Sequence, residues 1–407
     1  MKKIVRITVI IVFLFMGYFV FANKNAGTKK TVSKDQVVIS DTLKWSERMA
    51  LSIMKRNPIA WQIDKVEKLK LDYKQSFALI PFENLYKKIK KSAYEDYIKG
   101  YADAYIDSSG SIYHYELQEY NIDLLNSGKL LFDLYKNTQD SRYLKAMQLL
   151  KKQIEGQPRT ASGGFWHKKI YPDQMWLDGL YMGAPFYTRF TVEFENGNGL
   201  NDIANQFELV QSHFVSPKTG LPFHAWDESK KIGWANKETG TSPTAWSRAI
   251  GWYAMALVDV LDYYPKDHPK HKELVTYLNQ LAQAVSKYQD KSGLWFQVTD
   301  AGSREGNYLE SSGSAMFAYV FAKGVNKGYL PKKYKKNANK AFNRLLKEFV
   351  KVDQDGEVHL SQVSLSLGLG GTPFRDGSFK HYTEGKTLSD NSIGDSAFIV
   401  AALELDK

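Results

Sequence analysis

The chain has 407 residues, of which 43% are hydrophobic and 24% are charged, and these proportions exclude a disordered or a fibrous protein. Cysteine is absent, which excludes disulfides, thiolate metal sites, cysteine nucleophiles and a lipid-anchored N-terminal cysteine. Aromatic residues reach 14%, and the formal net charge of +11 favours anionic ligands in general without identifying one.

The N-terminus has the pattern of a secretory signal peptide. Basic residues precede an apolar run at residues 7–22, and Val20 and Ala22 supply small side chains before a cleavage point. The run is shorter than the roughly 20 residues that a membrane-spanning helix needs. We therefore predict a signal peptide at 1–22, a flexible segment at 23–40, and an exported protein, periplasmic or secreted, without stable membrane association. Export, together with lysine clusters in polar helical patterns, argues against a nucleic-acid partner.

One arrangement recurs five times along the chain: an amphipathic helix, a glycine turn, and a short run of alternating aromatic or β-branched residues. Each interval between turns is long enough for two helices of about 15 to 20 residues, so each unit is predicted to be a helical hairpin. The turns fit glycines with positive φ, and the runs after them fit short strands. The turn glycines are Gly110, Gly164, Gly220, Gly293 and Gly356.

The helix after each turn is rich in small residues and almost free of lysine, whereas the alternate helices, such as residues 332–351, are amphipathic and lysine-rich. A helix without a charged stripe is buried, and one with such a stripe faces water. The pattern predicts an all-α domain at 41–407 with an inner and an outer ring, in which the chain ends close a toroid of about six hairpins. The predicted inner helices are 121–137, 174–191, 245–263, 308–322 and 394–405.

Acidic residues recur in or near the first turns of the inner helices, at one end of the toroid. Helix capping and the helix dipole account for such residues, and we assign Glu310 and Asp395 to this role. Asp123 and Asp178 differ because apolar residues follow them. A carboxylate in apolar surroundings needs a partner or shifts its pKa, which is how a general acid is made. Both are therefore candidate catalytic residues.

Tryptophan is concentrated in the middle of the chain. Three tryptophans lie in or beside the strands that follow the turns, and three others lie on helices, where core packing and ligand binding both remain open. Proximity to histidine and arginine favours a ligand pocket, because sugar rings stack on aromatic faces while polar groups bind hydroxyls and a carboxylate. The strand group is Trp166, Trp226 and Trp295; the helical group is Trp176, Trp246 and Trp252, and its polar neighbours are His167, His224 and Arg248.

Neither a metal site nor a cofactor site is predicted. His268 and His271 lie in a polar loop with proline, which favours a solvated loop over a metal site. The acidic segment 353–357 lacks the ligand series of a calcium loop, and we interpret it as a hairpin turn. The chain has no Gly-x-Ser-x-Gly motif, phosphate loop or dinucleotide fingerprint, which excludes serine hydrolysis and nucleotide cofactors.

The run 163–167 and the following segment 171–182 resemble the unsaturated rhamnogalacturonyl hydrolases of glycoside hydrolase family 105, which are related to the unsaturated glucuronyl hydrolases of family 88. The likeness covers about residues 43–407 and implies an (α/α)6 barrel with short β-hairpins at the active-site rim, in agreement with the repeat. Further similar stretches are 45–50, 121–123, 220–227, 246–252, 292–298 and 308–316.

The resemblance also implies roles for individual residues. Asp178 is the general acid/base, and Asp123 accepts hydrogen bonds from the sugar or tunes Asp178. Arg248 is expected to bind the substrate carboxylate with its planar fork, and Ala249 replaces the glycine of many relatives. The implied substrate-binding residues are His167, Trp176, Met182, His224, Trp246, Arg248 and Trp252.

The implied reaction is hydration of the C4=C5 enol ether that a polysaccharide lyase leaves in a terminal uronic acid. The expected substrates are unsaturated rhamnogalacturonan disaccharides from pectin. Alternatives are unsaturated glucuronyl groups from glycosaminoglycans or ulvan, a sugar epimerase on the same toroid, and a non-catalytic carbohydrate-binding protein. The sequence leaves the oligomeric state open.

Overall fold

A computed structural model describes residues 38–302 and 304–407, so the predicted signal peptide and most of the segment 23–40 lie outside the described residues. No helix among the described residues is long and apolar enough to cross a bilayer. The α-helices are α1 (Trp45–Arg56), α2 (Tyr73–Ile89), α3 (Ser92–Tyr105), α4 (Leu131–Thr138), α5 (Ser141–Gly156), α6 (Leu177–Phe194), α7 (Leu200–His213), α8 (Ser247–Val260), α9 (His271–Lys287), α10 (Ser311–Asn326), α11 (Tyr334–Glu348), α12 (Phe379–Thr383) and α13 (Ser392–Leu405).

The helices form two concentric rings. The inner ring runs through α2, the 3₁₀ segment Ile122–Leu130 with α4, then α6, α8, α10 and α13, and α13 packs back against α2. Each of α3, α5, α7, α9 and α11 packs on the inner element that precedes it, and α1 packs on α13. The first and last helices therefore complete the sixth pair. The predicted (α/α)6 barrel is confirmed.

The burial of side chains follows the two classes of helix that the composition distinguishes. In α13 every residue from Ser392 to Ala402 is buried, so this helix lies inside the ring. In α11 the buried residues recur every three or four positions, and its lysines lie on the opposite stripe. Small residues allow the inner helices to pack on all sides, and charged residues keep one side of the outer helices in water.

Two details of the predicted inner ring are wrong. The segment predicted as one helix at 121–137 begins as the 3₁₀ helix Ile122–Leu130 and becomes α-helical only at Leu131. The sixth inner helix is α2, which was not among the predicted ones. It precedes the first glycine turn, so a pattern anchored on those turns does not reach it.

The glycine turns have the predicted positive φ, with one exception. At the second turn Gly163 has φ +92°, whereas Gly164 has no such conformation. A Cβ atom at Gly164 would instead lie 2.0 Å from the sulfur of Met175, so a larger residue there would displace that side chain. The other four turn glycines with positive φ are Gly110, Gly220, Gly293 and Gly356.

The strands are short and pair into two-stranded antiparallel sheets near the ends of the helices. β1 (Gln174–Trp176) pairs with β2 (Ala225–Asp227), and Trp176 lies opposite Ala225. Because α6 begins directly after β1, this pairing determines what lies beside its first turn. The other pairs are β3 (Trp295–Phe296) with β4 (Leu309–Glu310), β5 (Val350–Val352) with β6 (Val358–Leu360), and β7 (Val363–Ser364) with β8 (Thr387–Leu388).

The acidic segment 353–357 is the turn between β5 and β6, as predicted, and it provides a test of packing at a glycine turn. Gly356 has φ +82°, and a Cβ atom there would lie 1.8 Å from the carbonyl oxygen of Ile39. Gly328 has φ +78° with nothing within 4 Å of such an atom. Gly356→Ala should therefore lower the free energy of unfolding by about 3 kcal/mol, and Gly328→Ala by about 1 kcal/mol. Equal losses in urea denaturation would contradict the close approach of Ile39.

Candidate active site

The first feature of the site is a carboxyl group held by a buried histidine. Asp178 lies in the first turn of α6, and His224 directly precedes β2. The β1–β2 pairing extends to a hydrogen bond from the Leu177 N–H to the His224 carbonyl, which brings the two side chains together. Nε2 of His224 lies 2.9 Å from Oδ2 of Asp178. The His224 side chain is 0% exposed and that of Asp178 is 16% exposed, so a fixed carboxyl group still reaches solvent.

The other ring nitrogen of His224 forms a hydrogen bond with a residue that was not among the predicted site residues. Nδ1 lies 2.6 Å from the hydroxyl oxygen of Tyr382 on α12. Tyr382 is fully buried, and burial raises its pKa well above 10, so the hydroxyl keeps its proton. Asp178, His224 and Tyr382 thus form a line of three hydrogen-bonded groups.

Aromatic rings enclose this line. The Trp176 ring is nearly parallel to those of His167 and Tyr171, with centroid distances of 4.6 and 4.9 Å. Its edge also approaches His224, with the centroids 5.3 Å apart. Trp246 contacts His224 at 5.1 Å. Two of the predicted tryptophans and both predicted histidines therefore lie together beside Asp178.

The second predicted acid, Asp123, lies in the 3₁₀ segment and is paired with a lysine. Nζ of Lys168 is 2.7 Å from Oδ2 of Asp123, and Nε2 of His167 is 3.4 Å from Oδ1. Burial raises the pKa of Asp123, but Lys168 and His167 outweigh burial and hold the pKa below its usual value. Burial lowers the pKa of His167 to about 4. At neutral pH Asp123 is therefore ionised and accepts hydrogen bonds, while His167 is neutral.

Arg248 lies in the first turn of α8 and is held by the protein itself. Its side chain is fully buried, and Nη1 donates to the carbonyl of Ser364 at 2.7 Å while Nη2 donates to that of Leu365. The guanidinium carbon is 4.8 Å from the ring centroid of Trp246. Its donors thus point to backbone carbonyls, and the predicted contact with a substrate carboxylate stays a prediction.

Trp252 and Met182 lie deeper in the barrel. Trp252 is buried and packs against Phe77 of α2 and Tyr181 of α6, with centroid distances of 4.6 and 4.9 Å. Met182 is buried in the hydrophobic core one turn after Asp178. The structure does not bring either residue into the hydrogen-bonded group around Asp178, and their role in binding stays a prediction.

Glu310 and Asp395, the two first-turn acids that were assigned to helix capping, differ in the structure. The Glu310 carboxylate accepts hydrogen bonds from two backbone N–H groups at the start of α10, as predicted for a cap. Asp395 lies in the first turn of α13, as predicted, but it does not cap the helix, because the side chain of Asn391 does. Asp395 instead pairs with Arg56 at 2.9 Å, and burial raises its pKa to about 8.

Two tryptophans of the strand group belong to the core. Trp295 is fully buried, packs against Phe317 and donates to the carbonyl of Val285. Trp226 stacks on His213 with the centroids 4.3 Å apart. Within residues 38–302 and 304–407, no three His, Asp or Glu side chains are arranged to hold a metal ion.

The chain is similar to a known protein family and to solved structures. The model of Glycosyl Hydrolase Family 88 matches residues 45–407. The chain belongs to glycosyl hydrolase family 88. A solved glycoside hydrolase of family 105 from C. acetobutylicum ATCC 824 is 42% identical, with a TM-score of 0.86 over 89% of this chain and 99% of that one. The resemblance to families 105 and 88 and the predicted hydrolase class are confirmed.

The chain is also similar in sequence to curated relatives, among them the following two proteins. The unsaturated rhamnogalacturonyl hydrolase YesR of Bacillus subtilis is 26% identical over 293 residues, which are 70% of this chain and 78% of the relative. Protein Atu3128 of Agrobacterium fabrum is 34% identical over 229 residues, which are 55% of this chain and 97% of the relative. This family 88 hydrolase thus shares more than half of its length with each of these relatives.

Sequence reasoning missed two polar residues of the site. Lys168 directly follows the recognised run 163–167, and a lone lysine beside that aromatic segment is a signal that could have found it. Tyr382 has no such signal, because it lies 158 residues from His224 and outside every motif.

The pairing of Lys168 with Asp123 predicts a shift in the pH dependence of the hydrolase. In Lys168→Met the pKa of Asp123 should rise, because the strongest interaction that lowers it is removed. If Asp123 works as an ionised acceptor, activity is lost as the pH falls through its pKa, so the acidic limb of kcat/KM should move to higher pH. Lys169→Met, which changes the exposed neighbouring lysine, is the matched control. Identical acidic limbs in the two variants would contradict the role of Lys168.

Proposed function

We propose that this hydrolase removes the unsaturated (4-deoxy-Δ4,5) uronic acid from the non-reducing end of oligosaccharides made by a polysaccharide lyase. Unsaturated rhamnogalacturonan disaccharides are the proposed substrates. The observation that carries the proposal is the partly exposed carboxyl of Asp178, held by buried His224 at 2.9 Å. The name of the Bacillus subtilis relative, an unsaturated rhamnogalacturonyl hydrolase, supports the substrate class.

The proposed reaction needs one proton donor. Asp178 gives its proton to C4, and the electron pair of the C4=C5 bond forms the new C–H bond. The ring oxygen stabilises the positive charge at C5, where water adds while its proton returns to Asp178. The C5–O bond of the hemiketal then breaks to give a ketone, and the hemiacetal left at C1 releases the shortened sugar and a 4-deoxy-5-keto-uronate. The anomeric carbon is not attacked, so the separation of two carboxylates does not determine the outcome.

The other side chains of the site suit an anionic sugar. Asp123 is ionised and accepts hydrogen bonds from sugar hydroxyls. Trp176 and Trp246 are buried aromatic rings that contact His224 and so enclose the reacting carboxyl. Lys168 has a side chain that is 23% exposed and pairs with Asp123, and its positive charge would favour an anionic sugar.

A panel of unsaturated disaccharides tests the proposal. The purified protein is mixed with rhamnogalacturonan, glycosaminoglycan and ulvan products of lyases, and the ultraviolet absorbance of the double bond is followed. We expect the fastest loss with the rhamnogalacturonan disaccharide. A faster loss with a glucuronyl substrate would favour the alternative specificity, and no loss with any unsaturated uronide would overturn the proposed activity.

We also propose that the enzyme is exported by a signal peptide that ends at Ala22. The proposal depends on the basic start and the apolar run at 7–22. N-terminal sequencing of the mature protein should begin at Asn23, and a mature chain that retains the apolar run would contradict export by cleavage.

A further inference from the structure

We propose that Tyr382 fixes the tautomer of His224 and thereby places the transferable proton of Asp178 on Oδ1. Tyr382 is then a positioning residue, since it acts on the reacting carboxyl through His224. The expected effect of Tyr382 on turnover rests on the proposed function of Asp178. The tautomer of His224 is inferred independently of that function.

The geometry leaves the three groups little freedom. Tyr382 and His224 are both fully buried, and the Trp246 ring contacts both of them. The backbone carbonyl of Tyr382 accepts from Nε2 of Gln297 at 3.0 Å, and Oε1 of Gln297 accepts from Nε1 of Trp246 at 3.0 Å. The tyrosine hydroxyl is thus anchored at 2.6 Å from Nδ1 of His224 by its own backbone and by its ring.

The single hydrogen of the Tyr382 hydroxyl determines the tautomer. Among the described residues the only hydrogen-bond partner of this hydroxyl is Nδ1 of His224. If Nδ1 carried a hydrogen and donated it, the tyrosine hydrogen would be buried without an acceptor, at a cost of about 1–3 kcal/mol. A doubly protonated ring would leave the same hydrogen unbonded. Tyr382 therefore donates to Nδ1, and the hydrogen of the neutral His224 ring is on Nε2.

The tautomer of His224 has a direct consequence for Asp178. The Nε2–H group donates to Oδ2 of Asp178, so Oδ2 is an acceptor whether or not the carboxyl group is protonated. The acidic proton then lies on Oδ1, the oxygen that His224 does not bind. After the proton is transferred, the same N–H group stabilises the carboxylate that remains.

Nitrogen-15 NMR of histidine-labelled protein tests the tautomer without substrate. The His224 resonances are identified by their absence in His224→Gln, and the expected pattern is a protonated Nε2 and an unprotonated Nδ1. A wild-type ring that is protonated on Nδ1, alone or with Nε2, would overturn the proposal. Because this measurement is made on the wild-type protein without turnover, it remains decisive if the proposed substrate is wrong or if Tyr382→Phe does not fold.

Kinetics of Tyr382→Phe test the consequence for the reaction. This change removes the donor to Nδ1, so we expect mixed His224 tautomers and a kcat reduced roughly 10- to 100-fold with little change in KM. The matched control is Tyr264→Phe, which removes a buried hydroxyl 3.3 Å from Nδ1 of His268, away from the site, and should leave kcat unchanged. An unchanged tautomer and kcat in Tyr382→Phe, or an equal loss in both variants, would contradict the positioning role.

Discussion

Asp178→Asn should lower kcat by about 10³- to 10⁴-fold and leave substrate binding within a few-fold of wild type. A carboxamide has no acidic proton, so protonation of C4 loses its donor, and general acid catalysis contributes about 10²- to 10⁴-fold. The side-chain carbonyl of asparagine can still accept from Nε2 of His224, which lies 2.9 Å from the carboxyl oxygen in the wild type. The fold should therefore be retained.

The measurement combines turnover of an unsaturated disaccharide with calorimetric binding of the same compound to the inactive variant. Asp96→Asn, which changes an exposed acid on α3, is the control and should keep wild-type turnover. If Asp178→Asn retained turnover, another group would have to donate the proton. A non-catalytic carbohydrate-binding protein would show no turnover in the wild type either.

Arg248→Ala should lower the free energy of unfolding by about 3–5 kcal/mol. The guanidinium is fully buried and donates to the carbonyls of Ser364 and Leu365, so its removal takes a donor from each and leaves the Leu365 carbonyl with only the Ser364 hydroxyl. The segment that follows β7 would lose its attachment to α8. Because this segment leads to α12, which carries Tyr382, we expect kcat to fall as well.

Denaturation curves and steady-state kinetics separate two roles of Arg248. Arg304→Ala is the matched control, because Arg304 is exposed, and it should change stability by less than about 0.5 kcal/mol. If Arg248→Ala were as stable as Arg304→Ala and only raised KM, direct binding of the substrate carboxylate would be supported instead. A large loss of stability together with a loss of kcat supports the holding role that the geometry indicates.

The fold could be predicted because its signals are local. Glycine turns, small-residue helices and lysine stripes recur within each hairpin, and each can be recognised without knowledge of its neighbours. The same dependence on local pattern explains the misses. Helix α2 has no preceding glycine turn, and Asp395 is paired with Arg56 from the far end of the chain. The position of Asp395 near the start of a helix does not reveal Arg56 as its partner.

One part of the candidate site could be predicted because a single strand pairing brings its residues together. Asp178, Trp176 and His224 lie on or beside β1 and β2, whose pairing brings them together. Ser364, which binds Arg248, is 116 residues away from it in the sequence, and Tyr382, which binds His224, is 158 residues away. No spacing in the sequence relates these partners. For this reason the sequence did not indicate the backbone carbonyls that hold Arg248, and its predicted contact with a substrate carboxylate stays a prediction.

In the proposed reaction the double bond is protonated at C4, and the glycosidic bond is not displaced directly. The most direct test is to run the reaction with an unsaturated disaccharide in heavy water and to record NMR spectra of the early product while following ultraviolet absorbance. We expect that absorbance is lost as sugar is released, and that the product carries one deuterium at C4 in a single configuration. Release of the sugar with the double bond and its absorbance intact would contradict protonation at C4.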